Sequence, residues 1–429
     1  VKIAIIASGF LPVVDGVTVT VWNRIQHLSQ LGHQVLLLCP DYRPAAAIYP
    51  NWQAYVGSIL PGVTVVPLPS EPFIGLEFDL NMQRQAYPIL LQELAQFQPD
   101  LIHVDEPERL QLGLLKIPGV TFAKQQHIPC VSFFHTNLID YLEDYFELPE
   151  FVIKLMQWAS RRIVSHIYNA YDLTLVSSHV TKQTVRQMGI KRTVRAELLG
   201  VNLAQFQPSL RTVNFFSQHY GVSESEQNIL NQKVKLVFLG RLTPDKGWKS
   251  AIATFQQLAR LSPDWLPQLA LLIAGDGSMQ NEIAEALGTL PLTVHLLGRV
   301  APDAVPALLV NSDIHVTFSE KETRGLTLLE AFAAGIPVLA PSAGGVVDTV
   351  SPGQTGFLFQ PRNGQDFAAK LQPLVTQPQL RQQMGVAARQ QARHYDWDQA
   401  VDRLLQIWQQ QVEQSKSQNR SQNQSHRKH

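Results

Sequence analysis

The stretch Glu322-Thr-Arg-Gly-Leu-Thr-Leu-Leu-Glu330 leads without a break into Ala331-Phe-Ala-Ala-Gly335. With Leu326 to Ala334 as a helix, the two glutamates lie about 80° apart around its axis and about two turns apart along it. One carboxylate can then face a ligand just outside the helix N-terminus while the other reaches a neighbouring group of the same ligand. Gly325 lets backbone come close to that ligand, and the free N–H groups that open any helix suit a phosphate. Glutamates at this spacing are common on ordinary helices, so the context decides. The small residues after Glu330 permit close packing of helix and strand. Gly335-Ile336-Pro337 ends the helix and leads into a buried strand, and Gly344-Gly345 follows.

That strand belongs to a series. Apolar runs at Ile3 to Ala7, Val35 to Cys39, Leu101 to Val104, Cys130 to Phe134 and Leu173 to Ser177 alternate with helical patterns in the first half. Val234 to Leu239, Leu269 to Ala274, Val294 to Leu297, Ile314 to Phe318 and Pro337 to Pro341 repeat the scheme in the second. The alternation predicts an α/β fold with two parallel sheets wrapped by helices, each binding ligands beyond the carboxyl ends of its strands. The expected division is a first domain over 1–206, a polar linker with a helical insertion over 207–232, and a second domain over 233–392. An amphipathic helix over 393–414 and a disordered polar tail over 415–429 complete it.

Composition narrows the partners. The 35 basic residues balance 35 acidic ones, so no global field recommends a nucleic acid. Cys39 and Cys130 each sit in an apolar strand-like run and are expected as buried thiols rather than a disulfide. No apolar run approaches the roughly 20 residues of a membrane-spanning helix. The chain opens on the strand Lys2-Ile-Ala-Ile-Ile6 rather than on a signal peptide. A cytoplasmic protein is expected, with peripheral association on the inner face of a membrane left open.

In the second half, Gly240-Arg241-Leu-Thr-Pro-Asp-Lys246-Gly247, Ile273-Ala-Gly275-Asp276-Gly277, Leu297-Gly298-Arg299-Val300 and Glu322 to Gly335 resemble the motifs of the retaining glycosyltransferases of family 4. The first half matches more loosely, through Phe10-Leu-Pro-Val-Val-Asp15-Gly16, Leu31-Gly32-His33 and Phe134-His135-Thr136. The resemblance implies the GT-B fold, with two Rossmann-like domains whose parallel sheets face a central cleft. It implies a hexosyltransferase using a nucleotide-diphosphate sugar, expected to be a UDP-sugar.

By the same resemblance Arg241 and Lys246 bind the donor diphosphate, where two cations stabilise the departing nucleoside diphosphate. Glu330 takes the ribose hydroxyls and Glu322 the sugar hydroxyls. Backbone amides of Arg324, Gly325, Leu326 and Thr327 hold sugar and β-phosphate, while Asp15 and Gly16 approach the phosphates by backbone N–H. Arg299 and Val300 stand at the base-contact position, Gly240 and Gly275 in the strand-end turns around the donor, and His135 near the reacting sugar. Arg324 departs from the aromatic residue common at its position and leaves the donor sugar open. No Asp-x-Asp motif lies near this site; Asp396-Trp-Asp398 is expected to cap the C-terminal helix. No metal or other cofactor is implied, the nucleotide sugar being a co-substrate.

The segment Phe134-His-Thr-Asn-Leu-Ile-Asp-Tyr141-Leu-Glu-Asp-Tyr145 is similar to that of family members that build diacylglycerol glycolipids, including sulfoquinovosyl- and glucosyl-diacylglycerol synthases. That similarity implies a lipid acceptor. A helical pattern between Glu150 and Tyr171 puts Val152, Met156, Ala159, Ile163 and Ala170 on one face. Lys154, Trp158, Arg161, Arg162 and Ser165 share another, a composition suited to a lipid headgroup interface. Phe73-Ile-Gly-Leu76 and Phe78 are candidates for an inserting loop. The other readings are a transferase with a soluble or polysaccharide acceptor, a nucleotide-sugar epimerase and a non-catalytic sugar-nucleotide-binding protein.

Overall fold

A computed structural model describes residues 1–73, 76–137, 139–141, 143, 148–261 and 263–426. They form two compact units. One takes the described residues of 1–139, 154–199 and 397–429, and the other those of 140–153 and 200–396.

In the first unit the strands are β1 (Lys2–Ile6), β2 (Gln34–Pro40), β3 (Gly57–Leu60), β4 (Val63–Leu68), β5 (Ser70–Phe73), β6 (Leu76–Met82), β7 (Leu101–Asp105), β8 (Cys130–Phe134), β9 (Leu173–Val176) and β10 (Thr193–Arg195). Eight of them make one sheet in the order β10-β9-β8-β7-β1-β2-β4-β3, parallel except where β3 meets β4; β5 and β6 pair as a separate antiparallel hairpin. A parallel sheet is covered on both faces, which is why its strands read as unbroken apolar runs. Ile3 and Ile5 enter one core with Val21, Ile25 and Leu28 of the helix Gly16–Gln30. Ala4 and Ile6 enter another with Leu90 and Leu94 of the helix Ala86–Phe97.

The second unit carries β11 (Val234–Leu239), β12 (Leu269–Ala274), β13 (Thr293–Gly298), β14 (Ile314–Val316), β15 (Val338–Pro341) and β16 (Gly356–Phe359). They are parallel throughout, in the order β13-β12-β11-β14-β15-β16. The chain leaves β11 toward β12 on one side and returns as β14 on the other. The loops after β11 and β14 therefore part at a topological switch point, where such sheets bind ligands. In the first unit β1 stands likewise between β2 and β7.

The C-terminal segments depart from expectation. The last helix runs from Trp397 to His426, through most of the stretch expected as a disordered tail. Ser415 and Asn419 donate to the carbonyl of His127 at 2.9 and 3.1 Å. That acceptor lies at the end of the helix Val120–Gln126, where carbonyls lack intrahelical donors. Val401, Leu404 and Trp408 join the core that holds Ile3 and Ile5, so the helix folds back onto the first unit. The stretch expected as a linker is packed into the second. Phe215 and Phe216 are buried, the helix Glu224–Asn231 is closed by a Ser223–Glu226 capping box, and Asn311 donates to the carbonyl of Leu210 at 2.8 Å.

Candidate active site

In the second unit the motif residues gather along the carboxyl edge of the sheet, because the turns after β11, β12 and β13 hold one another by backbone hydrogen bonds, and Gly247 of the β11 loop comes so close to Phe318 after β14 that a Cβ there would lie 2.2 Å from its carbonyl oxygen. Gly240 N–H donates to Ala274 at 3.0 Å, Gly275 N–H to Gly298 at 2.8 Å and Leu242 N–H to Asp276 at 2.7 Å. A Cβ at Gly275 would fall 1.8 Å from the carbonyl oxygen of Gly240, so only glycine admits this approach. Gly345 plays the same part after β15. Its N–H donates to the carbonyl of Glu322 at 2.6 Å, and a Cβ there would lie 1.8 Å from the carbonyl oxygen of Thr323.

Lys246 and Glu322 meet across the switch point, Nζ to Oε1 at 2.6 Å, each side chain about one-fifth exposed. Arg241, on the same loop as Lys246, donates to Asp245 at 3.1 Å. The helix Leu326–Ala334 forms as expected, with Gly325 as its N-cap at φ 84° and Gly335 closing it in the left-handed region at φ 75°. Glu322, however, lies before that helix in the loop. The 80° separation read from a helical wheel does not describe the pair, and the loop contacts of Glu322 set its position instead.

Glu330 keeps part of its surface open. Its carboxyl is nevertheless desolvated by burial, which pushes its pKa up to about 8. Arg324 is turned inward and 2% exposed, its guanidinium 4.9 Å from the Tyr395 ring. What this motif offers a ligand beside Glu322 is accordingly backbone, since Leu326 and Thr327 open the helix where N–H groups have no intrahelical acceptor. Arg299 and Val300 follow β13, at the edge of the sheet.

In the first unit Asp15 caps the helix Gly16–Gln30 through a capping box, accepting from the Thr18 N–H at 2.8 Å while its own N–H donates to the Thr18 hydroxyl at 2.9 Å. The Asp15 amide is thus committed to the cap. Of the expected phosphate-facing pair, Gly16 alone has an amide at the first helical position, and a Cβ there would meet nothing within 4 Å.

His135 follows β8 and is 8% exposed. Its Nε2 lies 2.6 Å from Oδ1 of Asp105, the last residue of β7; His103 Nε2 approaches the same oxygen at 3.2 Å, and Arg24 donates to Oδ2 at 2.9 Å. Burial alone would raise the pKa of Asp105, but Arg24 and the histidine hydrogen bonds outweigh it and hold the carboxyl well below the usual range. Burial and then the Arg24 charge lower His103 to about 4. Across this sheet's switch point Ser8 donates to Glu106 at 2.7 Å. Sequence reading missed Arg24, Asp105 and Glu106. The acidic run Asp105-Glu-Pro-Glu108 at a strand's carboxyl end was the available signal.

The helix Glu150–Tyr168 buries Ile153, Val164, Ile167 and Tyr168. Ile163, expected on one face with Val152, Met156 and Ala159, is 58% exposed, as is Trp158, with Leu155 at 62%. Arg162 lies 5.5 Å from the Trp158 ring. Tyr145 and the Ile74-Gly75 tip of the expected inserting loop lie outside the described residues. No helix among the described residues is long and apolar enough to cross a membrane, and none of their His, Cys, Asp and Glu side chains form a group that could hold a metal ion.

Residues 14–205 match the family described as Glycosyltransferase Family 4, and residues 223–391 match that described as Glycosyl transferases group 1. The chain is 31% identical to a GDP-mannose-dependent alpha-mannosyltransferase of Mycolicibacterium smegmatis over 94% of this chain and 96% of that one. It is 28% identical to a sulfoquinovosyl transferase of Arabidopsis thaliana, over 89% and 68%. An alpha-monoglucosyldiacylglycerol synthase of Streptococcus pneumoniae is 23% identical, over 88% and 79%. Among solved structures, HepE of Anabaena in complex with UDP-glucose matches with a TM-score of 0.70 at 19% identity, covering 95% of this chain and 99% of that one, a likeness of fold.

Proposed function

This chain belongs to glycosyltransferase family 4, with the GT-B fold and hexosyltransferase activity, and on that premise we propose that it moves a hexosyl unit, with retention, from a UDP-sugar to a diacylglycerol-type lipid. The donor half of the reading is carried by the convergence of Lys246 and Glu322 at the second sheet's switch point. Lys246 and Arg241 bind the diphosphate, Glu322 the sugar hydroxyls, Glu330 the ribose, and the amides at the start of the Leu326–Ala334 helix the β-phosphate. The bond between the anomeric carbon and the β-phosphate oxygen breaks through an oxocarbenium-like state. The acceptor oxygen enters on the same face, and its proton passes to the departing phosphate. The two cations lower the barrier by stabilising the charge that collects on the leaving group. No step calls for a metal.

The acceptor half rests on the exposed row of Leu155, Trp158 and Ile163 beside Lys154, Arg161 and Arg162. A tryptophan among cations is a composition that settles at a headgroup interface, and the likeness to a diacylglycerol glucosyltransferase points the same way. A second reading, a mannosyl donor carried on GDP, is favoured by the 31% identity to the GDP-mannose-dependent enzyme. Both readings are tested by incubating the protein with UDP- and GDP-hexoses and vesicles containing diacylglycerol, then weighing the products. A hexosyl-diacylglycerol formed from a UDP-sugar supports the first reading, and transfer from GDP-mannose alone replaces it with the second. Transfer only to a water-soluble acceptor overturns the lipid assignment.

A further inference from the structure

We propose that Asp105 is a positioning residue that acts through His135, holding the imidazole in one orientation with its proton on Nε2. The inference rests on the reading of His135 as the group beside the reacting sugar. Asp105 is fully buried at the carboxyl end of β7, one strand over from β8, so the sheet itself delivers it to His135. Its two oxygens divide the work. Oδ1 lies 2.6 Å from His135 Nε2 and 3.2 Å from His103 Nε2, while Oδ2 accepts from Arg24 at 2.9 Å.

The chemistry of the acceptor fixes the proton. Asp105 is ionised, because Arg24 and the histidine hydrogen bonds overcome its burial. An ionised carboxylate only accepts hydrogen bonds, so the His135 nitrogen facing it at 2.6 Å carries hydrogen. The ring is held from a second side by Phe133, with centroids 3.9 Å apart. Arg24 is 2% exposed and belongs to the helix Gly16–Gln30. The ion pair thereby joins that helix to the end of β7, and it keeps the carboxylate charged beside the imidazole. A buried residue used only for packing has no need of an anion at this distance from a sheet-edge histidine, since a buried charge pair stabilises little by itself.

The test is a double-mutant cycle on transfer, with nucleotide affinity and thermal stability measured alongside. His135→Ala is expected to lower kcat. Asp105→Asn, which presents a donor as readily as an acceptor, is expected to lower kcat roughly 10- to 100-fold, the range for removing a partner that orients a functional imidazole. Nucleotide affinity should stay the same. In the His135→Ala background, Asp105→Asn should change kcat by less than about twofold, because the two act as a unit. Arg24→Gln with Asp105→Asn removes both charges and covers the case in which the single variant does not fold; it should retain the kcat defect. Independently of turnover, long-range proton–nitrogen spectra of the imidazoles should show His135 protonated on Nε2, with a mixture of tautomers appearing in either Asn variant. Losses that add in the cycle, an unchanged tautomer, or a His135→Ala variant with full kcat would each overturn the assignment. Absence of lipid transfer with an intact tautomer signature would instead count against the acceptor reading.

Discussion

Lys246 and Glu322, 76 residues apart in the chain, are each other's partner, Nζ to Oε1 at 2.6 Å. A donor that gives its diphosphate to Lys246 and its sugar hydroxyls to Glu322 must share or replace that contact. Bare nucleoside diphosphate competes only for the lysine. Glu322→Gln should therefore bind bare nucleoside diphosphate at least as tightly as the parent protein while turning over far more slowly, since a cation released from its carboxylate is more available to phosphate. Calorimetry with the bare nucleotide and steady-state rates read the two effects separately. Weaker binding of the bare nucleotide would contradict the arrangement.

On the proposed donor site, Arg241 and Lys246 serve the diphosphate half of the ligand. Arg241→Ala and Lys246→Ala should each weaken diphosphate binding by roughly 1.5–3 kcal/mol, the scale of a charge-assisted hydrogen bond. Binding in both parent and variants should be indifferent to excess chelator. Donor binding that disappears with chelator and returns with a divalent ion would refute the metal-free reading.

Glu330 makes a prediction in pH. Burial lifts its pKa from 4.5 to about 8. Between those values the folded chain retains a proton that the unfolded chain has released, so this residue's contribution to stability falls as pH rises through that window. Glu330→Gln should remove that decline, leaving the variant more stable than the parent above pH about 8 and little changed below about 4.5, as thermal melts across pH will show. Ribose hydroxyls donating to the carboxylate favour its ionised form, so nucleotide binding near neutral pH should release a proton. Calorimetry in buffers of different ionisation heat reads that proton directly. The release should vanish in Glu330→Gln, whose nucleotide affinity should fall more than its turnover of bound donor.

The exposed row on the Glu150–Tyr168 helix predicts a salt-sensitive attachment. Replacing Lys154, Arg161 and Arg162 together with Gln should reduce sedimentation with anionic vesicles, each cation contributing on the order of 1 kcal/mol near the surface. Nucleotide binding should be preserved. The difference from the parent should shrink in high salt, since the attraction decays within about 8 Å at physiological ionic strength and sooner above it. Unchanged sedimentation of the triple variant would return this face to an ordinary solvated surface.

The strand-end turns carry a stability prediction. Gly275→Ala should destabilise the second unit by about 2 kcal/mol or more, because its Cβ would overlap the Gly240 carbonyl and the backbone must move to admit it. Donor binding should fall with it, as Gly240 leads into Arg241 and Lys246. A melt indistinguishable from the parent would show that the turns are not held as described.

The alternation of strands and helices, the helix from Leu326 to Ala334 and the order of the donor motifs were legible from residue order alone, because these depend on local periodicity, capping and turn chemistry. Buried parallel strands announce themselves as apolar runs, and Gly335 stops a helix wherever that helix packs. Which strand ends became neighbours was not legible there, because it follows from how the folded sheets order their strands. Strand order brings the β11 loop to the β14 loop, and so Lys246 to Glu322; it sets β7 beside β8, and so Asp105 against His135. The last helix shows the same limit, since its amphipathic stripe was legible but its destination was not. Trp408 packs 5.2 Å from His103 in the first unit. An apolar stripe specifies that a face must be buried, and the shape and composition of the available surfaces specify where.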